Sequence, residues 1–158
     1  MIYGVSIFCD DIRFEQQNKI SLVGCYGPEM VVYSAPPFVL PKLGILLQAR
    51  FPMERLPSVH VKIYMPEEEE PFFTQEISKE EEHFVPRANA FKPEKPEDLN
   101  ILRGLAFPFL FSPFIIQKEG HIRVRLLFGS EIVRVGGLRV ISQVPQALPP
   151  ASSDLTAS

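Results

Sequence analysis

Hydrophobic and polar residues alternate along several segments of the chain. In "SVHVKIYM", residues 58–65, the side chains of Val59 and Val61 fall on one side of an extended backbone and that of His60 on the other. The same period of two runs through "GHIRVRLLF", residues 120–128. Such alternation predicts β-strands that have one buried face and one face in water.

Other apolar segments are short and end at proline, glycine or polar residues, which interrupt strands. The strand candidates among them are "IYGVSIF", "KISLVGCY", "GILLQARF", "PFFTQEI" and the phenylalanine-rich "GLAFPFLFSPFII". With a last strand that starts near residue 131, about eight strands and little helix are expected. We therefore predict an all-β fold, a two-layer antiparallel β-sandwich of immunoglobulin-like or C2-like topology, with a small barrel as the alternative.

Glycines mark a turn and an irregularity between the last strand candidates. Gly129 and Ser130 lie between two apolar runs and predict a two-residue hairpin with glycine at its first turn position. Gly136 and Gly137 interrupt the following strand, and the apolar positions change from odd to even numbers across them. A β-bulge keeps one face buried across such a change, and we predict one here.

The length of 158 residues fits one compact domain with a core of its own. Residues 1–144 contain all the strand candidates and are expected to form this single β-sandwich domain. Within it, the segment at about 80–101 is rich in proline and charge, which predicts a mobile loop. Residues 145–158 have the composition of a disordered tail.

The charge pattern gives no reason to expect a nucleic-acid partner. The chain has 16 basic and 19 acidic side chains, a formal net charge of -3, and its lysines and arginines do not form one block. No apolar stretch reaches the roughly 20 residues needed to cross a bilayer, and the first residues lack a basic leader. We expect a cytoplasmic protein without a membrane partner.

The two cysteines, Cys9 and Cys25, are expected to be free thiols. A hairpin that turns soon after residue 9 places that residue opposite the start of the second strand and not opposite Cys25. Both cysteines lie inside apolar strand patterns, so we predict two buried thiols in a reducing compartment.

Asp10 and Asp11 are adjacent acids between two strand candidates. One interpretation is a divalent-metal loop in which Glu68 and Glu69 of "PEEEEP" supply further oxygens, as in a calcium-dependent lipid-binding domain or a metal-dependent hydrolase. The other is a polar turn, since aspartate side chains accept backbone N–H bonds in turns. No spaced Asp-x-Asp ligand pattern is present, which favours the turn and predicts no bound metal.

Other candidate chemistry is sparse in the sequence. It contains no nucleophile motif, no phosphate-binding glycine loop and no histidines and cysteines at zinc spacing, so we expect no cofactor and no enzymatic activity. The four glutamates at 67–70, flanked by two prolines, are interpreted as a solvated hairpin tip, with docking of a basic partner as the alternative.

The phenylalanine-rich stretch supplies the candidates for partner binding. Phe107, Phe109 and Phe111 share one face of a strand, where they either fill a core or form an apolar patch, and we favour the core. Leu110 lies on the opposite face, and a strand that is apolar on both sides predicts a covered outer face such as a subunit interface. The expected partner is an unknown protein or a second copy of the chain.

Three stretches carry a resemblance to a known family: "CDDIRFEQQNKISLVGCYG", "LPKL" at 40–43 and "GHIRVRLLFGSEIVRV". They resemble a small, uncharacterised bacterial family whose members share an acidic turn, a K-x-S-L-x-G-x-Y strand and a closing hairpin with G-x-I-x-V-R. Lys19, Gly24 and Tyr26 belong to the first pattern, and Gly120 and Arg125 to the second. The resemblance implies a β-sandwich domain and neither a known activity nor catalytic residues.

The sequence thus predicts a non-enzymatic β-sandwich module that acts by binding another macromolecule or itself. Loops at one end of the sandwich and open sheet edges are the expected contact surfaces. The alternative is a divalent-metal-dependent domain centred on Asp10 and Asp11, which requires further acids to converge on them.

Overall fold

The computed structural model describes residues 2–52, 58–77 and 102–144. The loop predicted at about 80–101 and the tail predicted at 145–158 lie outside the described residues. No helix in these ranges has the length and apolar character to cross a membrane. The strands are β1 (Tyr3–Phe14), β2 (Ile20–Cys25), β3 (Glu29–Val32), β4 (Phe38–Leu40), β5 (Leu43–Pro52), β6 (Val59–Tyr64), β7 (Phe73–Ile77), β8 (Leu102–Phe111), β9 (Phe114–Ile116), β10 (Gly120–Phe128) and β11 (Glu131–Ser142).

The strands form a four-stranded sheet in the order β2-β1-β5-β8, a five-stranded sheet in the order β3-β11-β10-β6-β7, and a small sheet of β4 with β9. The pairing is antiparallel except between β3 and β11, which are parallel. The all-β, sandwich-like fold predicted from the alternation is confirmed. The expectation of about eight strands missed β3, β4 and β9, because segments of 3 or 4 residues are too short to show a period of two.

One apolar cluster joins the two large sheets. On β6 and β10 the positions that alternation places inward are buried, whereas their sequence neighbours are exposed or only partly buried. They pack together with inward residues of β1, β5 and β11. The largest buried side chains of this cluster are Phe38, Phe114, Leu43, Ile45, Leu47, Ile63, Ile116, Ile122, Leu126 and Leu138.

The hairpin and the bulge predicted for β10 and β11 are both confirmed. Phe128 pairs with Glu131 across a two-residue turn in which Gly129 has a φ of 59°. Further along, Val124 pairs with Gly136 and Arg125 with Arg134, so Val135 is the extra residue of a bulge. Gly136 has a φ of 128°, and a Cβ there would lie 3.3 Å from the backbone nitrogen of Ser6 on β1. The bulge therefore also permits the two sheets to approach closely.

The prediction that Asp10 and Asp11 form a turn is wrong. Both lie inside β1, which continues to Phe14, and the chain reverses at a 3-10 turn, Gln16–Asn18. The strand continues because Ile12 is buried, while the side chains of the two aspartates find hydrogen-bond partners on neighbouring segments. Two adjacent acids are thus compatible with a strand when each has a partner.

The later turn also overturns the prediction for the cysteines. With the hairpin closing beyond Phe14, the register places Cys9 directly opposite Cys25. Both thiols are free, as expected, but only Cys9 is buried and Cys25 is exposed. The difference arises because Cys9 lies on β1, between two neighbouring strands, whereas β2 is at the edge of the sheet.

Candidate functional site

The outer face of the five-stranded sheet carries a group of cations. The alternation that buries Val124 on β10 turns Arg123 and Arg125 outward. Arg125 pairs with Arg134 of β11 on one side and with Lys62 of β6 on the other. Directly paired residues of neighbouring strands project from the same face of a sheet, so the four cations share one surface, which we call the basic face.

Three of these cations form a row of like charges across adjacent strands, Arg134–Arg125–Lys62, which continues to the uncharged Thr74 of β7. Directly opposed like charges destabilise a sheet. Within the described ranges, none of the three has an ion pair with a carboxylate. Burial and, after it, the charges of Arg134 and Arg123 lower the pKa of Arg125. The row therefore concentrates uncompensated positive charge that a bound anion would neutralise.

Arg123 is held in place by a ring and by two carbonyl oxygens of the segment that follows β6. Its guanidinium lies 5.3 Å from the ring centre of Tyr64, at cation–π distance. It also donates hydrogen bonds to the main-chain carbonyl oxygens of Met65, at 3.5 Å, and of Glu68. Arg123 thus adds a fixed charge to the basic face and connects it to the loop that follows β6.

The borders of the basic face are acidic or apolar. His60 lies 3.8 Å from Glu76 of β7, and Arg139 forms an ion pair with Glu29 at 2.8 Å. Ile132, two residues before Arg134 on β11, is 65% exposed. The positive charge is therefore a compact patch and does not continue as a stripe around the molecule.

Asp10 and Asp11 already have protein partners. The Tyr26 hydroxyl donates to Asp10, and burial followed by this hydrogen bond raises the pKa of Tyr26 well above its usual value. Lys42 donates to Asp11 at 3.2 Å and Arg13 lies 3.7 Å from the same carboxylate. The hydrogen bond from Lys42 is the main reason that the pKa of Asp11 is lowered.

Glu68 and Glu69 are exposed in the loop between β6 and β7. In the part of the chain that the structure describes, no group of three histidines, cysteines, aspartates or glutamates could hold a metal ion. The structure therefore does not bring Asp10 and Asp11 together with Glu68 and Glu69 as a ligand set.

The four partner-binding candidates on β8 divide between two faces. Phe109 is buried, and Phe107 and Phe111 are partly buried and pack against the core cluster. Leu110 pairs with Gly44 on the outer face of the four-stranded sheet and is 47% exposed. The three phenylalanines therefore belong to the core, whereas Leu110 lies on an exposed surface.

Sequence reasoning missed the basic face as a unit. The alternation already assigned Lys62, Arg123 and Arg125 to outward positions. Their convergence depends on β10 lying between β6 and β11 and on the bulge that brings Arg134 opposite Arg125. The available signal was a cation on the polar side of each of three strands, β6, β10 and β11.

Comparison of the chain with protein-family models, curated protein sequences and solved structures found no match.

Proposed function

We propose that the protein is a non-enzymatic interaction module whose basic face binds an acidic segment of a partner protein. The observation that supports this most directly is the row Arg134–Arg125–Lys62, whose mutual repulsion is not compensated by any described carboxylate. Like charges placed opposite one another lower stability, and a ligand that neutralises them would remove this cost.

The dimensions of the row fit a short extended segment. Neighbouring strands lie about 4.8 Å apart, so three cations on adjacent strands span about 10 Å. An extended segment of about five residues places three carboxylates at alternate positions on the same side, one for each cation, and the flexible side chains of the cations cover the small difference in spacing.

A protein segment is favoured over nucleic acid by the charge around the patch. Interfaces with nucleic acid are strongly positive and follow many phosphates. Here the net charge of the chain is -3, and Glu76 lies across from His60 at the border of the face. A phosphate backbone that extended from the row toward His60 would approach this carboxylate, whereas a short acidic segment ends before it.

A cytoplasmic location belongs to the same proposal. Both cysteines are free, and Cys25 is exposed at the edge of a sheet, which agrees with a reducing compartment. Cell fractionation that found the protein outside the cytoplasm would contradict this part.

The test uses a fluorescent peptide in which glutamate alternates with valine, and the triple variant Lys62→Gln/Arg125→Gln/Arg134→Gln. Three exposed ion pairs at about 0.5 kcal/mol each give about 1.5 kcal/mol, so the variant is expected to bind about tenfold more weakly at low salt. Because the changes also relieve repulsion, the variant should remain folded.

The matched control, Arg13→Gln/Lys19→Gln/Lys42→Gln, removes the same charge from the region of β1 and β2 and should keep the affinity. Equal losses in the two variants would reduce the effect to net charge and contradict the proposal. Tighter binding of an oligonucleotide of equal charge, lost in the first variant only, would make the partner a nucleic acid.

A further inference from the structure

A second surface, separate from the basic face, lies between the β6–β7 loop and the small sheet of β4 and β9. It is a cleft with a volume of about 410 Å³. Volumes of this order accommodate one or two side chains of a ligand. The apolar part of its lining is formed by Met65, Pro66, Pro71, Phe72 and Ile115.

The cleft leaves large apolar side chains in water. Phe72 is 53% exposed and Ile115 is 46% exposed. Val39, the cross-strand neighbour of Ile115, is 63% exposed and continues the apolar surface beyond the lining of the cleft. Neighbouring apolar side chains that stay exposed on a folded domain are typical of a contact surface.

The walls of the cleft are fixed before a ligand arrives. The ring of Phe72 packs edge-on against Phe111 and Phe114, with centroid distances of 5.7 and 5.6 Å. Arg123 holds the carbonyl oxygens of Met65 and Glu68 in the same loop as Phe72. A preformed site loses little conformational entropy when it binds, which raises its affinity for a small contact.

The rim of the cleft carries negative charge that no cation of the described residues neutralises. Lys118 lines the cleft, but its ammonium lies 3.7 Å from Glu67 and is compensated there. The carboxylates of Glu68 and Glu70, which also line the cleft, have no cationic partner among the described residues. The cleft thus combines an apolar lining with two carboxylates that have no cationic partner among the described residues. This combination is complementary to an apolar side chain next to a positive charge.

We propose that this cleft binds a short segment of a partner protein in which an apolar residue is flanked by lysine or arginine. The apolar side chain enters between Phe72 and Ile115, and the flanking cations pair with Glu68 and Glu70. This site goes beyond the proposed function, because it lies on a different surface and selects the opposite charge. The module then has two binding surfaces, one for an acidic segment and one for a basic, apolar segment.

The test measures binding of a fluorescein-labelled peptide with a central Leu-Phe pair between lysines, and of the same peptide with serines in place of Leu-Phe. The apolar contribution is tested with Ile115→Thr, which keeps a β-branched side chain in β9. Val39→Thr is its matched control, because Val39 is exposed in the partner strand but does not line the cleft. Ile115→Thr is expected to weaken binding about fivefold to tenfold and Val39→Thr by less than about twofold.

The electrostatic contribution is tested with Glu68→Gln/Glu70→Gln against Glu15→Gln/Glu131→Gln, which removes two exposed acids outside the cleft. The first pair is expected to lose about fivefold to tenfold in affinity at low salt, and the second pair to lose little. Amide chemical shifts should change at residues 65–72 and 115–118 when the Leu-Phe peptide is added.

Three results would overturn the proposal. The serine peptide binding as tightly as the Leu-Phe peptide would reduce the contact to charge alone. Shift changes confined to other surfaces would place the peptide elsewhere. Self-association of the unliganded chain that disappears in Glu68→Gln/Glu70→Gln would identify a second copy as the occupant in place of a partner protein.

Discussion

The guanidinium of Arg123 donates a hydrogen bond to the main-chain carbonyl oxygen of Glu68. This contact joins the two surfaces, because Arg123 belongs to the basic face of the five-stranded sheet and Glu68 lines the cleft. The same guanidinium holds Met65 and lies over Tyr64. A change at Arg123 is therefore expected to alter the cleft, which Arg123 itself does not line.

Replacing Arg123 by methionine keeps an unbranched apolar stem and removes the donors of the guanidinium. Two carbonyl oxygens lose a charged partner, which should lower the free energy of unfolding by about 1–3 kcal/mol. Affinity for the Leu-Phe peptide should fall because the loop of Glu68 loses its tether. Urea unfolding and fluorescence polarisation measure the two effects, and Arg125→Met is the control that removes a neighbouring arginine without touching the loop. Unchanged peptide affinity in Arg123→Met would show that the loop does not depend on this tether.

Arg134→Glu should stabilise the fold and weaken binding of the acidic peptide. It converts the opposed pair with Arg125 into an attractive one, which is worth about 0.2–1 kcal/mol at low salt. High salt should remove this gain, since the Debye length falls to about 3 Å at 1 M. In the control Arg139→Glu, the ion pair with Glu29 is lost and stability should decrease. A decrease in the stability of Arg134→Glu at low salt would contradict the repulsion inferred for the row.

Gly24→Ala should destabilise the β1–β2 hairpin for two separable reasons. Gly24 has a φ of 66°, and a Cβ there would lie 2.8 Å from Cγ of Asp10 and closer still to its carboxylate oxygen. We expect a loss of about 1–3 kcal/mol, of which about 1 kcal/mol is backbone strain. Adding Asp10→Ala removes the collision but not the strain, so the double variant should lose less than the sum of the single changes. Gly24→Ala, Asp10→Ala and the double variant are all made in a Tyr26→Phe background, because Tyr26 donates a hydrogen bond to the Asp10 carboxylate. Full additivity in that background would exclude the collision.

Stability should decrease at alkaline pH through Cys9. Burial, and after it the neighbouring Cys25 thiol, raises the pKa of Cys9 from 9.0 to about 11. The folded chain holds this proton more tightly than the unfolded chain, so the contribution to stability is complete below pH 9.0 and is lost as the pH rises to about 11. Cys9→Ala should flatten this part of the profile of unfolding free energy against pH.

The control for Cys9→Ala is Cys25→Ala, which should leave most of the alkaline slope. Tyr26→Phe separates the part that comes from Tyr26, whose pKa is also raised. In the native chain at pH 7, a thiol reagent should modify the exposed Cys25 and reach Cys9 only after unfolding. An alkaline slope that is the same in Cys9→Ala and in the unchanged protein would contradict the assignment.

Most of the fold could be predicted from the alternation of apolar and polar residues. In a strand with such alternation, the apolar positions show which face is buried. The alternation also predicted the bulge beside Gly136, since a bulge keeps the apolar positions on one face across the change of parity. It did not fix the end of β1. The partners that keep Asp10 and Asp11 inside the strand, Tyr26 and Lys42, come from other segments of the chain and are invisible to a local pattern.

Neither the basic face nor the cleft could be predicted from the strand patterns. A strand pattern gives the direction of Lys62, Arg125 and Arg134 but not their order across the sheet, which depends on long-range pairing. The outward, partly exposed Phe72 looked like part of a strand, whereas β7 begins at Phe73. One residue at a strand boundary thus decided whether this ring joined the core or the rim of the cleft.

The parallel pairing of β3 with β11 has a consequence for synthesis of the protein on the ribosome. Glu29 and Arg139, joined across this pair, are 110 positions apart in the chain. While β1, β2 and β5 are able to pair as soon as they emerge, β3 must wait until about 110 further residues have been translated before its neighbour exists. Nascent chains should therefore keep an unpaired apolar edge at β3 until β11 leaves the exit tunnel, and that interval is when a chaperone has most to bind.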